Sequence, residues 1–320
     1  MPRAERVTLE PVDRAEVTVV MDNSVDILDG PSEFGARPPL GWKALEGEQL
    51  RSEHGYSLAL TVQRGTWRES FLYDAGLTRD STVHNLDVLG LDPRDFRAVV
   101  LSHGHADHHG GLEGLFGRVR SSLPLVVHPH AWRDRKIVFP TGEEVRLAPP
   151  SHNDLDREGW QVVDELGPSL LLDGSVLVTG QIDRVTDFEK GFPVQHAKVK
   201  GTWGPDPWTW DDQAVAVNVR GKGLVVLSSC SHSGAINILR HIQLVTGIDK
   251  VHAFIGGLHL SGGLFEPIIP DTIMNLTALA PALVVPGHCT GWRAQHLVAA
   301  ALPDAYTSSN VGTTFTFTAT

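Results

Sequence analysis

The stretch LSHGHADHHGG at residues 101–111 places four histidines and one aspartate within seven consecutive positions. It follows the apolar run FRAVV at 96–100, which is typical of a buried strand, and it leads into GLEGLF, which indicates the start of a helix. A histidine-rich surface loop is the simpler explanation for such a cluster. The position between a buried strand and a helix instead favours a functional turn at the end of a sheet.

The spacing within this turn predicts a metal site. His103 and His105 alternate, so at a strand end their rings can project to the same side, while Asp107 and His108 follow after the turn. Imidazole and carboxylate groups are ligands that zinc, iron and manganese accept. The two glycines that follow would let the backbone turn tightly into the helix.

Composition narrows the class of protein. The chain has 320 residues, of which 41% are hydrophobic and 20% charged, which is ordinary for a globular protein. A net charge of −11 argues against nucleic acid as a partner, since binding phosphates requires clustered Lys and Arg. The sequence has no apolar run of membrane-spanning length and no signal-like segment, so we expect a cytoplasmic protein without a membrane partner. The expected partner is a small molecule, and the sequence does not indicate the oligomeric state.

Two halves of the chain show a similar order of elements. A hairpin, a helix and a strand ending in His and Gly occur around 56–109 and again around 213–260. This repetition predicts an α/β sandwich of two sheets flanked by helices rather than two independent domains. Three long excursions interrupt the pattern, near residues 30–50, 131–165 and 183–212. Loops are predicted for the first and third, and loops with short strands for the second.

The His-x-His-x-Asp-His pattern at 103–108 resembles the signature of the metallo-β-lactamase superfamily. Further motifs resemble the branch related to a 7,8-dihydropterin-6-methyl-4-(β-D-ribofuranosyl)aminobenzene-5'-phosphate synthase, namely MDN (21–23), DDQAV (211–215), CSHSGAINIL (230–239), IGGLHL (255–260) and PGHCTG (286–291). The resemblance implies a four-layer αβ/βα sandwich, with two mixed β-sheets flanked by helices, forming one domain over residues 1–320.

The same resemblance implies roles for several other residues. Asp74 matches an aspartate that orders the metal loop without binding metal, and His259 matches a later histidine at a strand end. Cys230 stands where the family usually has a bridging aspartate. The usual third histidine is missing, and Asp211 and Asp212 occupy its place.

Several of these residues have two interpretations at this point. His232 is a metal ligand or a residue bonded to the start of a helix. Cys230 is a thiolate ligand or an inert buried cysteine. His288 and Asp212 bind metal, contact the substrate or support the ligands, and Asn23 reaches the metal centre or forms a turn. The tryptophans of the last excursion wall a pocket for a flat ring or pin the loop to the body.

We therefore predict a metal-dependent hydrolase with one or two divalent ions, zinc first and iron, manganese or magnesium as alternatives. One ion is assigned to His103, His105 and His232, and the other to Asp107, His108 and His259, with Asp107 and His232 at the reacting centre. A water molecule deprotonated at the metal would attack a small ester, amide or phosphoester. Two alternatives remain: a transferase of the synthase type, whose substrate would be anionic or pterin-like, and a metal-bearing binding module without turnover.

Overall fold

The computed structural model describes residues 6–31, 33–36, 46–120 and 122–320, and β-strands dominate it. The strands of its first half are β1 (Arg14–Met21), β2 (Gly35–Ala36), β3 (Ser57–Arg64), β4 (Trp67–Tyr73), β5 (Phe96–Val100), β6 (Pro124–Val127), β7 (Arg135–Val138), β8 (Glu144–Leu147) and β9 (Gln161–Asp164). The strands of its second half are β10 (Ser169–Leu171), β11 (Val176–Val178), β12 (Gln195–Val199), β13 (Thr202–Pro205), β14 (Val215–Val219), β15 (Gly223–Ser228), β16 (Val251–Gly257), β17 (Leu283–Gly287) and β18 (Thr314–Thr318).

Two mixed sheets form the centre of the molecule. The first has eight strands in the order β2-β18-β1-β3-β4-β5-β6-β9, and the second has six in the order β10-β11-β14-β15-β16-β17. In each sheet an antiparallel hairpin, β3–β4 or β14–β15, is followed by parallel strands. The carboxyl ends of β4 and β5, and those of β15, β16 and β17, therefore meet at one edge of their sheets.

Alternating side chains of the second sheet belong to two different apolar layers. Val225 and Leu227 of β15 pack between the sheets, whereas Leu224 and Val226 face the helices, and all four are fully buried. A strand that is buried on both faces needs apolar residues at every position, which explains the continuous run GLVVL.

Helices cover the outer face of each sheet. The helices are α1 (Ser81–Leu89), α2 (Ala106–His109), α3 (Leu112–Leu115), α4 (His152–Arg157), α5 (Ala235–Thr246), α6 (Ile269–Leu279) and α7 (Trp292–Ala301). Residues of α1, α3 and α4 pack on the first sheet, and residues of α5, α6 and α7 pack on the second. The predicted four-layer αβ/βα sandwich is confirmed. Within the described ranges, no helix has both the length and the apolar character needed to cross a membrane.

The excursions contain more regular structure than the sequence indicated. Strands β7, β8, β12 and β13 come from the second and third excursions and form a separate antiparallel sheet in the order β13-β12-β7-β8. Two short hairpins far apart in sequence pair through β7 and β12, and such a long-range pairing leaves no local signature. Much of the excursion near 30–50 lies outside the described residues, which omit 32 and 37–45.

Candidate metal centre

The histidine-rich stretch continues directly from strand β5 and turns into helix α2. Asp107 and His108 lie in the single turn of α2, whereas His103 and His105 precede it in an irregular segment. His103 Nε2 lies 3.0 Å from His105 Nδ1, and both side chains are buried. The two rings that alternate in sequence therefore face each other.

Gly110 and Gly111 form the turn between α2 and α3, and close packing is the reason that both are glycine. Both have ordinary negative φ angles of −59° and −81°. A Cβ on Gly110 would lie 1.9 Å from the carbonyl oxygen of Leu77, and one on Gly111 would lie 2.0 Å from that of Ala75. The loop after β4 therefore passes directly against this turn and leaves no room for a side chain.

Asp74 lies behind the histidine loop and holds it through several hydrogen bonds. Its carboxylate accepts bonds from Ser102 N at 2.6 Å and from the Ser102 hydroxyl, and it lies 2.7 Å from His108 Nδ1. Asp74 is fully buried and has a φ of 61°, which a non-glycine residue adopts only when its surroundings hold it there. The bond to Nδ1 leaves His108 Nε2 facing the centre of the site.

The second sheet brings His232 and Cys230 to the same place. The ring of His232 lies 4.7 Å from that of His103 and 4.8 Å from that of His105, measured between centroids. Cys230 Sγ lies 3.3 Å from His108 Nε2. Residues more than 120 positions apart therefore converge where the two sheets meet.

His288 completes the other side of the cluster. Its Nε2 lies 3.3 Å from Asp107 Oδ2, and its ring lies 5.0 Å from that of His108. The backbone of His288 is held by the end of β1, because Asp22 Oδ1 accepts its amide at 2.9 Å and Asn23 Nδ2 donates to its carbonyl at 2.8 Å. Asn23 thus supports the loop of His288 and does not itself reach the ligand atoms.

The potential ligand atoms fall into two groups, each with atoms within 4.8 Å of one another. One group comprises Asp107, His108, Cys230 and His288, and the other comprises His103, Cys230 and His232. Cys230 belongs to both groups, which is the position expected of a bridging ligand.

His259 lies outside both groups, although the sequence analysis assigned it to the ion of Asp107 and His108. Its ring packs 4.2 Å from that of His232 and 4.3 Å from that of Phe265. At Gly257, two residues earlier, a Cβ would meet Ser229 O at 2.3 Å and Cys289 Sγ at 2.6 Å. The missing side chain leaves room for the loops after β15 and β17 to meet across the end of β16. His288 has the place that was expected for His259.

The two aspartates at the position of the missing third histidine support the metal loops. Asp212 Oδ2 accepts bonds from the amide of Ser233, at 2.8 Å, and from its hydroxyl. Asp211 Oδ2 accepts the amide of Gly104 at 2.9 Å. Asp212 therefore anchors the turn that carries His232, and Asp211 anchors the turn that carries His103.

Two further side chains at the site, those of His54 and Gln195, were not predicted from the sequence. His54 stacks on His288 with 4.9 Å between ring centroids, and its Nε2 lies 3.7 Å from Asp107 Oδ2. Gln195 Oε1 lies 2.8 Å from His105 Nε2. His54 belongs to a polar loop and Gln195 to an excursion, and neither stretch has a pattern that indicates a functional residue.

Most of the clustered histidines are held in the neutral form that binds metals. Burial lowers the pKa of His105 to about 4 and that of His259 to about 3, and it lowers the pKa values of His103 and His232 as well. Neighbouring imidazoles add to the effect at His103, His232 and His259, because two adjacent positive charges would repel each other.

His108 differs from the other histidines because carboxylates face both of its nitrogens. Burial alone would lower its pKa, but Asp107 and Asp74 outweigh that effect and raise it to about 10. Burial would likewise raise the pKa of Asp107, but the charge and hydrogen bond of His108 outweigh it and hold that pKa well below its usual range. Without a metal, His108 and Asp107 therefore form an ion pair.

A cavity of about 120 Å³ opens beside His232 and His259. Apolar side chains form much of its wall, namely Phe188, Leu258, Leu264, Phe265 and Ile268. A cavity of roughly 150 Å³ accommodates a benzene-sized ligand, so this one suits a single ring or a short chain. The tryptophans of the third excursion are not among its lining residues; Trp210 packs under Arg184 and Trp203 under Lys136.

Comparison with known proteins identifies the superfamily to which this chain belongs. A family model of the metallo-beta-lactamase superfamily matches residues 61–236, which is more than half of the chain. The chain therefore belongs to the metallo-β-lactamase superfamily. A crystal structure of a metal-dependent hydrolase of the beta-lactamase superfamily superposes with a TM-score of 0.73 at 22% identity, covering 95% of this chain and 99% of the other, and shows the same fold.

Two curated relatives of this chain come from Methanocaldococcus jannaschii. The 7,8-dihydropterin-6-methyl-4-(beta-D-ribofuranosyl)-aminobenzene-5'-phosphate synthase is 29% identical over 252 residues, covering 77% of this chain and 84% of the relative. An uncharacterized protein of the same organism is 24% identical over 246 residues, covering 76% and 86%. The predicted resemblance to this branch is confirmed.

The residues at the centre fit a divalent cation. Both ring nitrogens of His232 are buried, and neither has a hydrogen-bond partner among the residues described. Buried polar atoms without partners are costly, and a bound ion would supply the missing interaction. Imidazole, carboxylate and thiol groups together form the donor set typical of zinc.

Proposed function

We propose that this chain is a metal-dependent hydrolase of small ester, amide or phosphoester substrates. The observation that carries the proposal is the position of Cys230, which belongs to both groups of potential ligands. A shared ligand would hold two ions side by side, as in enzymes that use paired metals for hydrolysis.

The two groups of potential ligand atoms indicate which residues would hold each ion. One ion would be held by His103, His232 and Cys230 with His105 beside them, and the other by Asp107, His108, His288 and Cys230. Zinc is the first expectation because the set combines imidazole and thiolate donors. When bound, such ions supply a water molecule of lowered pKa and polarise the bond that is cleaved.

Asp107 and His232 would act at the reacting centre. The side chain of Asp107 is 21% exposed, and its Oδ2 lies close to both His288 and His54. This carboxylate would accept a hydrogen bond from the attacking water and orient it. His232 lines the cavity and also belongs to a ligand group. Its ring would therefore lie where the apolar part of the substrate, in the cavity, meets the bond that is cleaved at the ions.

The cavity indicates the kind of substrate. Its phenylalanine, leucine and isoleucine side chains would receive an apolar ring or short chain of the substrate. His259 would contact this group as part of the wall rather than bind an ion.

A transferase is the second candidate function, and the synthase relative at 29% identity favours it. In that case the cavity would receive a pterin-like ring, and the ions would bind an anionic leaving group. The same ligand residues would serve both reactions, so the experiment must distinguish them by product.

The test compares products of the zinc-loaded protein. It is incubated with chromogenic phosphodiesters, lactones and β-lactams, and separately with a ribofuranosylaminobenzene phosphate and a dihydropterin whose 6-methyl carbon carries a pyrophosphate leaving group. Cleavage that His105→Ala abolishes supports the hydrolase, and a condensed pterin without ester cleavage supports the transferase. The surface substitution His152→Ala, at a histidine of α4 that is 43% exposed, is the control. Zinc binding without either product would leave a binding module and contradict both proposals.

A further inference from the structure

We infer that Gln195 is a positioning residue that fixes the tautomer of His105 and so presents His105 Nδ1 to the metal centre. The inference rests on the proposed metal site. It concerns a residue of the small third sheet, outside both candidate ligand groups.

The orientation of the Gln195 amide follows from its partners. Its Nε2 lies 3.0 Å from the carbonyl oxygen of Asp206 and 3.0 Å from Thr209 Oγ1. A carbonyl oxygen only accepts hydrogen bonds, so the amide nitrogen must face Asp206. The amide oxygen Oε1 is then the atom that faces His105 Nε2, 2.8 Å away.

This orientation determines which nitrogen of His105 carries the proton. A histidine binds a metal ion as a neutral imidazole, in which one ring nitrogen donates a hydrogen bond and the other keeps its lone pair. Because Oε1 can only accept, Nε2 must carry the proton and Nδ1 keeps its lone pair. Nδ1 is the nitrogen that faces His103 Nε2 at 3.0 Å, toward the ligand cluster.

The third sheet holds Gln195 firmly in this orientation. The residue is fully buried at the start of β12, and its backbone carbonyl accepts the amide of Asp206 at 2.9 Å. Its backbone amide donates to the carbonyl of Phe192 at 3.0 Å, and the ring of Phe192 stacks 6.1 Å from that of His232. One short segment therefore orients His105 and covers His232.

The experiment uses the full chain with Gln195→Leu, Gln195→Glu and a control. Leucine removes the acceptor, whereas glutamate in its protonated form keeps a carbonyl oxygen facing His105 and a hydroxyl donor facing the carbonyl of Asp206. Gln243→Leu is the control, because its amide donates to the Asp249 carbonyl at the far end of α5. Zinc affinity is measured by competition with a chromogenic chelator. The tautomer of His105 is read from ¹H–¹⁵N imidazole spectra of the metal-free proteins, with the signal assigned by its loss in His105→Ala.

We expect a proton on Nε2 of His105 in the wild type and a mixture of tautomers in Gln195→Leu. Zinc affinity should fall about 10- to 100-fold in Gln195→Leu and stay within about threefold in Gln195→Glu and Gln243→Leu. Unchanged tautomer and affinity in Gln195→Leu would overturn the inference. Equal losses in the leucine and glutamate variants would show a packing role and would also overturn it. If the wild type binds no zinc, the proposed function fails, while the imidazole spectra still decide the role of Gln195.

Discussion

Cys230 occupies the position that the superfamily resemblance assigns to a bridging aspartate, and its sulfur lies between the two ligand groups. We predict that Cys230→Ala lowers the zinc content from about two equivalents to about one or fewer, because both ions lose a shared ligand. Cys230→Asp should restore the content, since a carboxylate can also bridge. Elemental analysis of the purified proteins measures this.

Cys289 is the matched control for this prediction. Its thiol donates to the carbonyl oxygen of Cys230 at 3.4 Å, and it belongs to neither ligand group. Cys289→Ala should therefore keep the wild-type zinc content. If Cys230→Ala also kept it, Cys230 would be an inert buried thiol.

The protonation states of two ligands predict how metal binding depends on pH. Burial raises the pKa of Cys230 well above its usual range, and carboxylates raise that of His108 to about 10, so both carry a proton at neutral pH. Each must release it to bind an ion. We expect zinc affinity to rise from pH ~6 to ~9, with about two protons released when the centre fills.

Calorimetric titration in buffers of different ionisation enthalpy counts the released protons. Cys230→Ala removes one of the two groups, so about one proton fewer should be released. An affinity that stays constant over this pH range would contradict the assigned ligands.

Helix α5, which follows His232, obtains its N-terminal hydrogen bonds from a distant residue. Its N-cap is Gly234, which has no side chain, and the carboxylate of Glu189 accepts the amides of Ile236 and Asn237 at 2.9 Å each. A carboxylate at this end also interacts favourably with the helix dipole. The segment near Phe192 is thereby attached to α5.

We predict that Glu189→Gln lowers the free energy of unfolding by about 1–3 kcal/mol, because the two backbone amides bond to different carboxylate oxygens and the nitrogen that replaces one of these oxygens cannot accept a hydrogen bond. Denaturant unfolding of the metal-free protein measures the change. Glu266→Gln, at a surface ion pair with Arg293, should cost less than about 1 kcal/mol. Equal effects of the two substitutions would show that Glu189 does not cap the helix.

Across the whole molecule, a buried arginine connects the third sheet to the metal loop. Arg135 of β7 is 1% exposed and donates to Asp211 Oδ2 at 3.0 Å and to Asp206 Oδ2 at 3.2 Å. Asp211 in turn accepts the amide of Gly104 between His103 and His105. The excursions are thus part of the support of the site.

We predict that Arg135→Met lowers the free energy of unfolding by about 3–5 kcal/mol, because it leaves the buried carboxylate of Asp211 without its counter-ion. Zinc affinity should fall as well, since Asp211 holds the histidine turn. Arg146→Met, at an exposed pair with Asp134, should cost less than about 1 kcal/mol. Denaturant unfolding and chelator competition measure both effects, and a neutral Arg135→Met would contradict the connection.

Local and periodic features of the chain were sufficient to predict the sandwich and the cluster of candidate ligands. Alternating apolar residues define strands, and the histidine turn after β5 is a contiguous motif, so neither requires knowledge of distant contacts. His232 was also found this way, because it follows a strand as His103 does. Cys230 was found through the superfamily resemblance, which places it at the position of a bridging aspartate.

Contacts between distant segments decided which candidate residues meet at the metal centre and which support it. His288 lies beside Asp107 because Asp22 and Asn23, at the end of β1, hold its backbone. Gln195 reaches His105 because β12 pairs with β7, a strand far earlier in the chain. Asp211 and Asp212, whose roles the sequence left open, support the loops through buried hydrogen bonds. Whether a residue binds an ion or supports a ligand depends on its distance from the other residues in space. A pattern along the chain indicates which residue types a site contains, but it does not show which of them meet.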